Sequence, residues 1–529
     1  MMNDKTVKEI HISKETLVKR VLPAMIMLIL VGLIAAFFAQ KEALKGMGSD
    51  HFHSFYTTCL FVTVAVMALA YEMLFISKVR LEYVFLILTL SLGLIYNCMI
   101  PVYAVPDEDY HYMIPRSLAS EWTGHGSESG IDNAFMAPDY ETDPGFQARD
   151  LNREYMNKYL GWMQEERGTD GETWNEVLYT YRTEFYRIIY APMALGIIIG
   201  RAIGLPYLMI LLLGRAMSLF FYAACGFYAI RRSPIAKELI LVLSLFPIFL
   251  QQISSFSSDG PINAMTIAVT GACMSLAWRE KLDKFSYLDL GIALVFGIIL
   301  GRCKYAACLP ILLLIFLVLI SRANIERRLK IAVWVIFAAS IAFGTLPGLH
   351  TLLTQEKVLT PELGTVPYYT LGELLREPYR FFMILGNTFY LGMDDYWRSA
   401  LGYSLGLYEM TIRLHQVVFF IPLVWMAAVC AGLRHKFSRR EKTLFFIITF
   451  LGMGFAVGGM LIGWTPRTDM VISGIQGRYF LPFFIPMMFV LSPVSIRVKD
   501  VEMLGRKVVM AAALLEMTAI MTYLDVLGR

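Results

Sequence analysis

The sequence has little charge and lacks the motifs by which soluble enzymes hold nucleotides or metals. Charged residues make up 17% of the 529 residues and hydrophobic residues 57%, whereas soluble domains have about 25% and 45–50%. No Walker loop, dinucleotide-binding glycine turn, zinc-ligand spacing or Gly-x-Ser-x-Gly elbow is present. These absences exclude a soluble domain and argue against an enzyme driven by cytoplasmic ATP. They predict an integral membrane protein, for which we expect no nucleic-acid partner.

Cysteine is absent from the one long polar stretch of the chain. All seven cysteines lie in or beside apolar segments: Cys59, Cys98, Cys225, Cys273, Cys303, Cys308 and Cys430. A disulfide framework, a zinc site and a thiol nucleophile would each need cysteines grouped in a polar region. None of the three is therefore predicted.

Long apolar segments fill most of the chain. A helix needs about 20 apolar residues to cross a bilayer, and about thirteen segments qualify: 21–40, 54–77, 81–101, 205–230, 235–251, 261–279, 287–301, 305–321, 329–348, 413–433, 441–463, 478–496 and 505–527. The first is interpreted as an uncleaved span, because no small-residue cleavage site follows the basic tail. The prediction is an all-α bundle with four parts: 1–80, 81–348, 349–412 and 413–529.

Basic residues predict the orientation of the bundle. Positive charges concentrate on the cytoplasmic side of membrane proteins. The tail from Lys5 to Arg20 places the N-terminus in the cytoplasm. Segment 186–204 is apolar enough to span, but every later basic cluster falls inside only if it packs at the outer interface instead. We therefore expect it to be interfacial, and the segments 102–204 and 349–412 to be extracytoplasmic.

The first external segment is acidic and aromatic. Residues 102–185 carry 17 acidic and 6 basic side chains, a net charge of −11, and three tryptophans. A loop of this size is expected to be a folded element rather than a linker. Within it, 121–145 is predicted to be irregular and 150–168 to form an amphipathic helix.

Titratable residues cluster where the third span ends. Pro106 is followed by Asp107, Glu108 and Asp109, and then by His111. On a helix that begins here, a carboxylate and the histidine share one face. Such a pair can act as a general base or hold a hydroxyl acceptor. The alternative is that the acidic residues only cap an interfacial helix, where the helix dipole favours them.

Other polar groups are predicted on the same side of the membrane. Asp259 either contacts a substrate or caps the helix that follows. Arg302 and Lys304, in an external turn, either bind a lipid phosphate or extend to headgroups. Arg478 suits a phosphate through paired hydrogen bonds, unless it pairs with a loop carboxylate. Segment 391–398 either frames a sugar cleft or is an ordinary interface loop, and the loop is the preferred interpretation.

The order of these motifs resembles a known family. Pro106-Asp107-Glu108-x-x-His111, Tyr190-x-Pro192, Ser257-x-Asp259, Lys304 and Gly477-Arg478-Tyr479-Phe480-x-Pro482 resemble the bacterial multi-pass family termed domain of unknown function 2142. That family is placed in the GT-C superfamily of polyprenyl-phosphate-dependent glycosyltransferases. The resemblance covers about residues 85–495. The two spans before the acidic loop depart from the family pattern, which leaves their role open.

The resemblance implies a GT-C-like fold in a bacterial plasma membrane, with a large catalytic loop that carries juxtamembrane helices. It implies a sugar donor on a polyprenyl phosphate and a cell-surface glycan as acceptor. The catalytic residues would be Asp107, Glu108 and His111. Basic and neighbouring residues would bind the donor phosphate, namely Arg302, Lys304, Arg478, Asp259 and Tyr479. No cofactor is required by the resemblance, although the three carboxylates could hold a divalent cation.

Other functions remain open on the sequence alone. A transporter or flippase for lipid-linked saccharides would need a polar path through the bundle, and the predicted spans contain few charges. A polymerase or ligase of lipid-linked glycans is a close variant of the transferase. A non-catalytic binding protein would tolerate neutralisation of its loop carboxylates.

Overall fold

The computed structural model describes residues 22–43, 50–124, 151–163, 187–281, 283–306, 308–322, 324–347, 349–350, 368–407, 410–493 and 496–529. The basic tail before residue 21, and the predictions for 125–150 and for 164–186, lie outside these residues. The part of the loop predicted as an amphipathic helix is described at Arg153–Trp162, where a helix is found.

The described chain is helical, with one very short hairpin. The α-helices are α1 Leu22–Ala43, α2 His51–Tyr71, α3 Leu81–Met99, α4 Glu108–Trp122, α5 Arg153–Trp162, α6 Ala191–Ala202, α7 Tyr207–Arg232, α8 Lys237–Ser244, α9 Pro247–Ile253, α10 Asp259–Trp278, α11 Ser286–Arg302, α12 Leu309–Leu312, α13 Leu317–Ser321, α14 Arg327–Ala339, α15 Leu371–Arg376, α16 Pro378–Leu401, α17 Leu414–Val418, α18 Phe420–Arg434, α19 Arg439–Trp464, α20 Phe484–Val490 and α21 Val501–Leu527. Strands β1 Ser404–Leu405 and β2 Met410–Thr411 pair antiparallel, with Leu405 opposite Met410.

Among the described residues, nine helices are long and apolar enough to cross a membrane: Pro23–Glu42, His51–Ile76, Leu81–Met99, Tyr207–Arg232, Asp259–Trp278, Arg327–Thr345, Leu414–Arg434, Arg439–Trp464 and Val501–Leu527. Each coincides with a span predicted from the sequence. The prediction of an all-α integral membrane protein is therefore confirmed.

The four remaining predicted spans are shorter or interrupted helices. Segment 235–251 divides into α8 and α9 just before Pro247, and segment 478–496 begins as a 3-10 helix that contains Pro482. Segment 305–321 contains a 13-residue helix, Leu309–Ser321, which has Pro310 in its first turn and a 3-10 stretch at Leu313–Phe316. Proline has no N–H to donate and its ring clashes with the preceding turn, which accounts for the break before Pro247 and for the irregular turns around Pro482. Segment 287–301 is the single 17-residue helix α11.

Contacts define two ends of the bundle. The first, here called the loop end, is where α3 leads into α4 and where Arg478 meets Asp107. The second, here called the basic end, joins the turns predicted to be cytoplasmic. There Arg506 at the start of α21 donates to the carbonyl oxygen of Val79 (3.0 Å), and Arg434 pairs with Glu238.

The two N-terminal spans support the start of the long loop. Arg153 on α5 donates to Glu42 at the end of α1 (2.7 Å) and to Asp50 before α2 (2.8 Å). Burial raises the pKa of Asp50, but the hydrogen bonds from Arg153, His53 and Asn157 outweigh it and lower this pKa to about 2. Helix α5 in turn presents Tyr159, whose hydroxyl accepts from the backbone N–H of residue 102 (3.2 Å). These spans therefore fix a loop helix beneath the chain that leads to α4.

Helix α6 packs against the first half of α7. Gly196 lies against Gly214, and Gly200 lies against Ile210. An added Cβ at Gly196 would come within 2.7 Å of the carbonyl oxygen of Leu213, so this approach requires glycine. With about 1.5 Å of rise per residue, the 12 residues of α6 are too short to cross a membrane. This packing fits the prediction that segment 186–204 does not span.

One local prediction is wrong. Segment 391–398 was expected to be an interface loop, but it forms the C-terminal third of helix α16, Pro378–Leu401. Its apolar residues continue a helical stripe that begins near Tyr379, and this period of 3.6 explains the helix. Gly402 ends the helix in the left-handed conformation, with φ of 88°.

Candidate functional site

Four charged side chains from distant parts of the chain meet at the loop end. Nη2 of Arg478 lies 3.3 Å from Oδ2 of Asp107, and Nε of Arg478 lies 3.3 Å from Oδ2 of Asp259. Nζ of Lys304 pairs with Oδ1 of Asp259. We call Asp107, Asp259, Lys304 and Arg478 the loop-end cluster. All four were predicted as site residues, and the structure brings them together.

The cluster is closed on one side and open on the other. The side chains of Asp259 and Arg478 are 7% and 5% exposed, whereas that of Asp107 is 61% exposed and that of Lys304 is 25% exposed. A buried anion such as Asp259 needs paired cations, because an unpaired charge is costly where water is scarce. The exposed carboxylate of Asp107 is the part of the cluster that a ligand from outside can reach.

The capping explanation fails for both carboxylates. Asp107 precedes α4 and Asp259 opens α10, but neither helix start has a side-chain capping hydrogen bond. A capping carboxylate accepts from the backbone N–H two or three residues further on. The carboxylates of Asp107 and Asp259 instead face cations, so capping hydrogen bonds do not account for their positions.

Two members of the cluster have unusual backbone conformations. Asp107 has φ of 62° and Lys304 has φ of 48°, both in the left-handed region. A non-glycine residue there costs on the order of 1–2 kcal/mol, less for aspartate than for lysine. Strained residues of this kind gather at functional sites, where the surrounding structure holds them.

An aromatic ring covers the cations. Nζ of Lys304 lies 4.4 Å from the ring centroid of Tyr479, and the guanidinium carbon of Arg478 lies 5.6 Å from it. Both distances fall within the range of cation–π attraction. Tyr479, a predicted binding residue, therefore holds the two cations beside each other.

Glu108, predicted as a second base candidate, has a different environment from its neighbour. Its side chain is fully buried and forms a two-pronged ion pair with Arg215 of α7. Its oxygens also accept from the backbone N–H groups of Tyr103 (3.0 Å) and Phe256 (2.8 Å). Each oxygen thus accepts two hydrogen bonds, which leaves Glu108 poorly placed to take a proton from a substrate.

Arg215 is the residue that sequence reasoning missed. It is fully buried and also donates to the carbonyl oxygens of Ile100 (2.6 Å) and Pro101 (2.9 Å). The signal was present, because an arginine inside an apolar span is rare and needs a buried partner. Through Glu108 and these carbonyl groups, Arg215 fixes the turn that presents Asp107.

His111 contacts a tyrosine rather than a carboxylate. Its Nδ1 lies 2.6 Å from the hydroxyl of Tyr190, and the two rings stack. Burial, together with the nearby Arg478 and Lys304, lowers the pKa of His111 from 6.5 to about 3. The ring is therefore neutral at physiological pH. It is too weak a base to accept a proton efficiently there.

The remaining predicted residues lie around the cluster. Arg302 is half-buried at the end of α11, and it is Lys304 rather than Arg302 that forms the ion pair with Asp259. Asp109 is exposed on α4. Within the described ranges, no group of three or more His, Cys, Asp or Glu side chains could hold a metal ion. The three adjacent carboxylates of the loop motif face three different environments.

Comparison with known proteins gives one family. Residues 90–488 match the family described as "Predicted membrane protein (DUF2142)". The match covers three quarters of the chain, so the protein belongs to this family. No curated protein and no solved structure matches.

Proposed function

Starting from this family membership, we propose that the protein is a membrane glycosyltransferase of the GT-C type. It transfers a sugar from a polyprenyl-phosphate carrier to a cell-surface glycan, such as a polysaccharide or a teichoic-acid-like polymer. The observation that carries the proposal is the exposed carboxylate of Asp107 beside Arg478, Lys304 and Asp259 at one end of a membrane bundle.

Asp107 is the proposed general base. The acceptor hydroxyl forms a bond to the anomeric carbon of the sugar while the bond from that carbon to the phosphate oxygen breaks. The proton of the hydroxyl passes to Asp107, and polyprenyl phosphate leaves. Because Asp107 is 61% exposed and its contact with Arg478 is 3.3 Å long, its carboxylate has room for the acceptor.

Arg478 and Lys304 are the proposed phosphate site. A leaving phosphate gains negative charge, and fixed cations stabilise it most where water is scarce. Arg478 holds its two carboxylates only through long contacts, because it lies 3.3 Å from both Asp107 and Asp259, so a phosphate can compete for its donors. Asp259 holds both cations in place before the donor arrives. Arg302 lies two residues before Lys304 in the sequence, and its proposed role at the phosphate site is less direct.

The loop end is proposed to face away from the cytoplasm in a bacterial plasma membrane. Positive residues concentrate at the opposite end, which the positive-inside rule assigns to the cytoplasm. A site outside the cell has no ATP. A donor that is already activated and tethered to the membrane supplies the free energy of transfer instead.

One observation favours a flippase as the second candidate. Asn263 and Thr266 lie one and two turns along α10 from Asp259, and each has a buried oxygen without a partner among the described residues. They line a small cavity together with Tyr222. A flippase would extend this polar track through the bundle. A flippase would move labelled lipid-linked sugar between leaflets without forming a glycosidic bond, which an assay for bond formation distinguishes.

The test asks whether the Asp107→Asn variant fails to add the sugar to cell-surface glycans. Asp109→Asn is the matched control. Cell-surface glycans are compared between the wild-type strain, a strain without the protein, and strains complemented with each variant. We expect wild type and Asp109→Asn to restore the missing sugar, and Asp107→Asn to reduce transfer by about 10²-fold or more at equal membrane abundance. Full restoration by Asp107→Asn would disprove the assignment of the base.

A further inference from the structure

Helix α16 exposes a continuous apolar stripe. Tyr379 is 78% exposed, Phe382 66%, Phe389 38%, Tyr390 88% and Met393 55%. Their spacing of three, four and seven residues places them on one face of the helix. Contiguous apolar surface of this kind is rarely left in water and marks an interaction site.

The opposite face of α16 packs on one end of the bundle only. Ile384 and Leu385 belong to a small apolar core with Val457 and Leu461 of α19. Helix α19 ends at Trp464, so these partners lie within about 10 Å of its loop end, at 1.5 Å of rise per residue. Helix α16 is therefore held at the depth where α19 leaves the membrane.

Both ends of α16 contact the loop end. Near its start, Arg380 donates to the carbonyl oxygen of Arg467 (2.8 Å). Near its end, Ser399 accepts from the backbone N–H of Gly477 (3.1 Å). A helix of 24 residues is about 36 Å long, and a spanning helix of that length would reach the basic end. Helix α16 thus runs along the bundle surface at the loop end.

The surroundings of the stripe suit lipid rather than another protein. Ion pairs with exposed or half-exposed side chains flank it, namely Arg380 with Glu377, Arg398 with Asp394 and Arg467 with Glu373, and such charged groups suit the headgroup region. Helix α19, on which α16 packs, also exposes apolar residues towards its loop end, including Phe455 at 40% and Trp464 at 54%. An apolar face with a charged border next to a lipid-facing span is typical of an interfacial helix.

We propose that the apolar stripe of α16 inserts into the lipid leaflet at the loop end. The C-terminal end of α16 sets the depth of Arg478, because the neighbouring Gly477 lies directly against this end of the helix. An added Cβ at Gly477 would come within 2.1 Å of the carbonyl oxygen of Tyr396. The helix therefore couples the membrane surface to the loop-end cluster. This inference does not depend on the chemistry of the site.

The experiment measures the membrane depth of nitroxide labels on the full-length protein in bilayers. Single cysteines replace Tyr379, Phe382, Phe389 and Met393 in a background without native cysteines. Matched controls replace Phe446, Phe450 and Phe455, which are exposed on α19 at 56%, 67% and 40%. Accessibility to oxygen and to a water-soluble nickel chelate gives the depth of each label.

We expect the α16 labels to be oxygen-accessible and to agree in depth within about one helical turn, 5 Å. The α19 labels should differ by about 13 Å from first to last, as in a spanning helix. A similar gradient along α16 would show that it spans and would overturn the proposal. Labels accessible mainly to nickel would place the stripe in water, and labels shielded from both reagents would show that protein covers it. Either result would also overturn the proposal.

Discussion

Asp107 and Glu108 are adjacent in the chain but occupy opposite kinds of environment. Glu108 is fully buried and held by Arg215 and two backbone N–H groups. Asp107 is 61% exposed and lies 3.3 Å from Arg478. The carboxylate of Glu108 is saturated with hydrogen-bond donors, whereas that of Asp107 is only partly satisfied. The difference favours a structural role for the pair of Glu108 and Arg215, and it supports the ligand-facing role proposed for Asp107.

The backbone explains how neighbours can differ so much. The positive φ of Asp107 turns its side chain away from the direction that α4 gives to Glu108. Glu108 enters the bundle beside α7, and Asp107 remains at the surface next to the 3-10 helix that carries Arg478. The strain at Asp107 is tolerated because the ion pair at Glu108 anchors the same turn.

The largest effect is expected from Arg215→Met. This change leaves Glu108 buried without its cation, which costs about 3–5 kcal/mol. We expect little folded protein, measured as thermal unfolding in detergent and as yield of monodisperse protein. The double variant Arg215→Met with Glu108→Gln removes both charges and should recover part of the stability. A melting temperature of Arg215→Met equal to that of wild type would contradict the structural role of this pair.

A smaller effect on stability but a clear effect on function is expected at Arg478. Arg478→Lys keeps the positive charge beside Asp259 but cannot form paired hydrogen bonds with a phosphate. Charge-assisted hydrogen bonds contribute about 1.5–3 kcal/mol each. The apparent affinity for donor should therefore fall by about 10–100-fold, measured as KM in a transfer assay, and Arg478→Ala should be worse.

The control for Arg478 is Arg187→Lys, which lies at the same end of the bundle. Arg187 pairs with Glu121 and donates to Ser117 (2.9 Å), apart from the loop-end cluster. It should leave the KM for donor unchanged. An unchanged KM in both variants would mean that Arg478 is structural, and the contrast between the two carboxylate environments would lose its functional meaning.

The pH dependence of stability separates His111 from the carboxylates. The pKa of His111 is about 3 in the folded protein, whereas the ordinary value for histidine is 6.5. The unfolded chain therefore binds the proton more readily, and this histidine makes the free energy of unfolding decrease as pH falls from about 7 towards 4. Above pH 7 it contributes no pH dependence.

His111→Gln should flatten this part of the profile. Glutamine keeps a polar partner for Tyr190 but does not titrate. We expect the melting temperature of wild type to fall more than that of His111→Gln between pH 7 and pH 5. Equal falls in the two proteins would show that His111 titrates normally in the fold.

The sequence was sufficient for the fold class and for part of the residue set of the candidate site. Apolar runs predicted all nine long helices, because span length is set by the bilayer. Charge topology and motif order singled out Asp107, Asp259, Lys304 and Arg478. Helix α16 was missed because its apolar positions lie on one face only, and Asp394, Asp395 and its arginines interrupt the continuous apolar run by which spans are recognised.

The different environments of the Asp107 and Glu108 side chains could not be predicted from the sequence. Both follow Pro106, and the pattern alone does not reveal a positive φ at the first of them. The partner of Glu108 is 107 residues away in sequence, so the pairing depends on how α7 packs beside α3. Tertiary packing determines which residues form such pairs. Local sequence patterns indicate only that a buried charge needs a partner.

The smallest effect is expected from Tyr190→Phe, and it sharpens the same contrast. The variant removes one hydrogen bond to His111 but keeps the stacked ring, so stability should fall by only about 0.5–1.5 kcal/mol. Transfer activity is the second measurement. If His111 serves the buried framework, kcat and KM should remain within about twofold of wild type at matched folded concentration. A large loss of kcat with little loss of stability would instead place His111 and Tyr190 with Asp107, on the reactive side of the site.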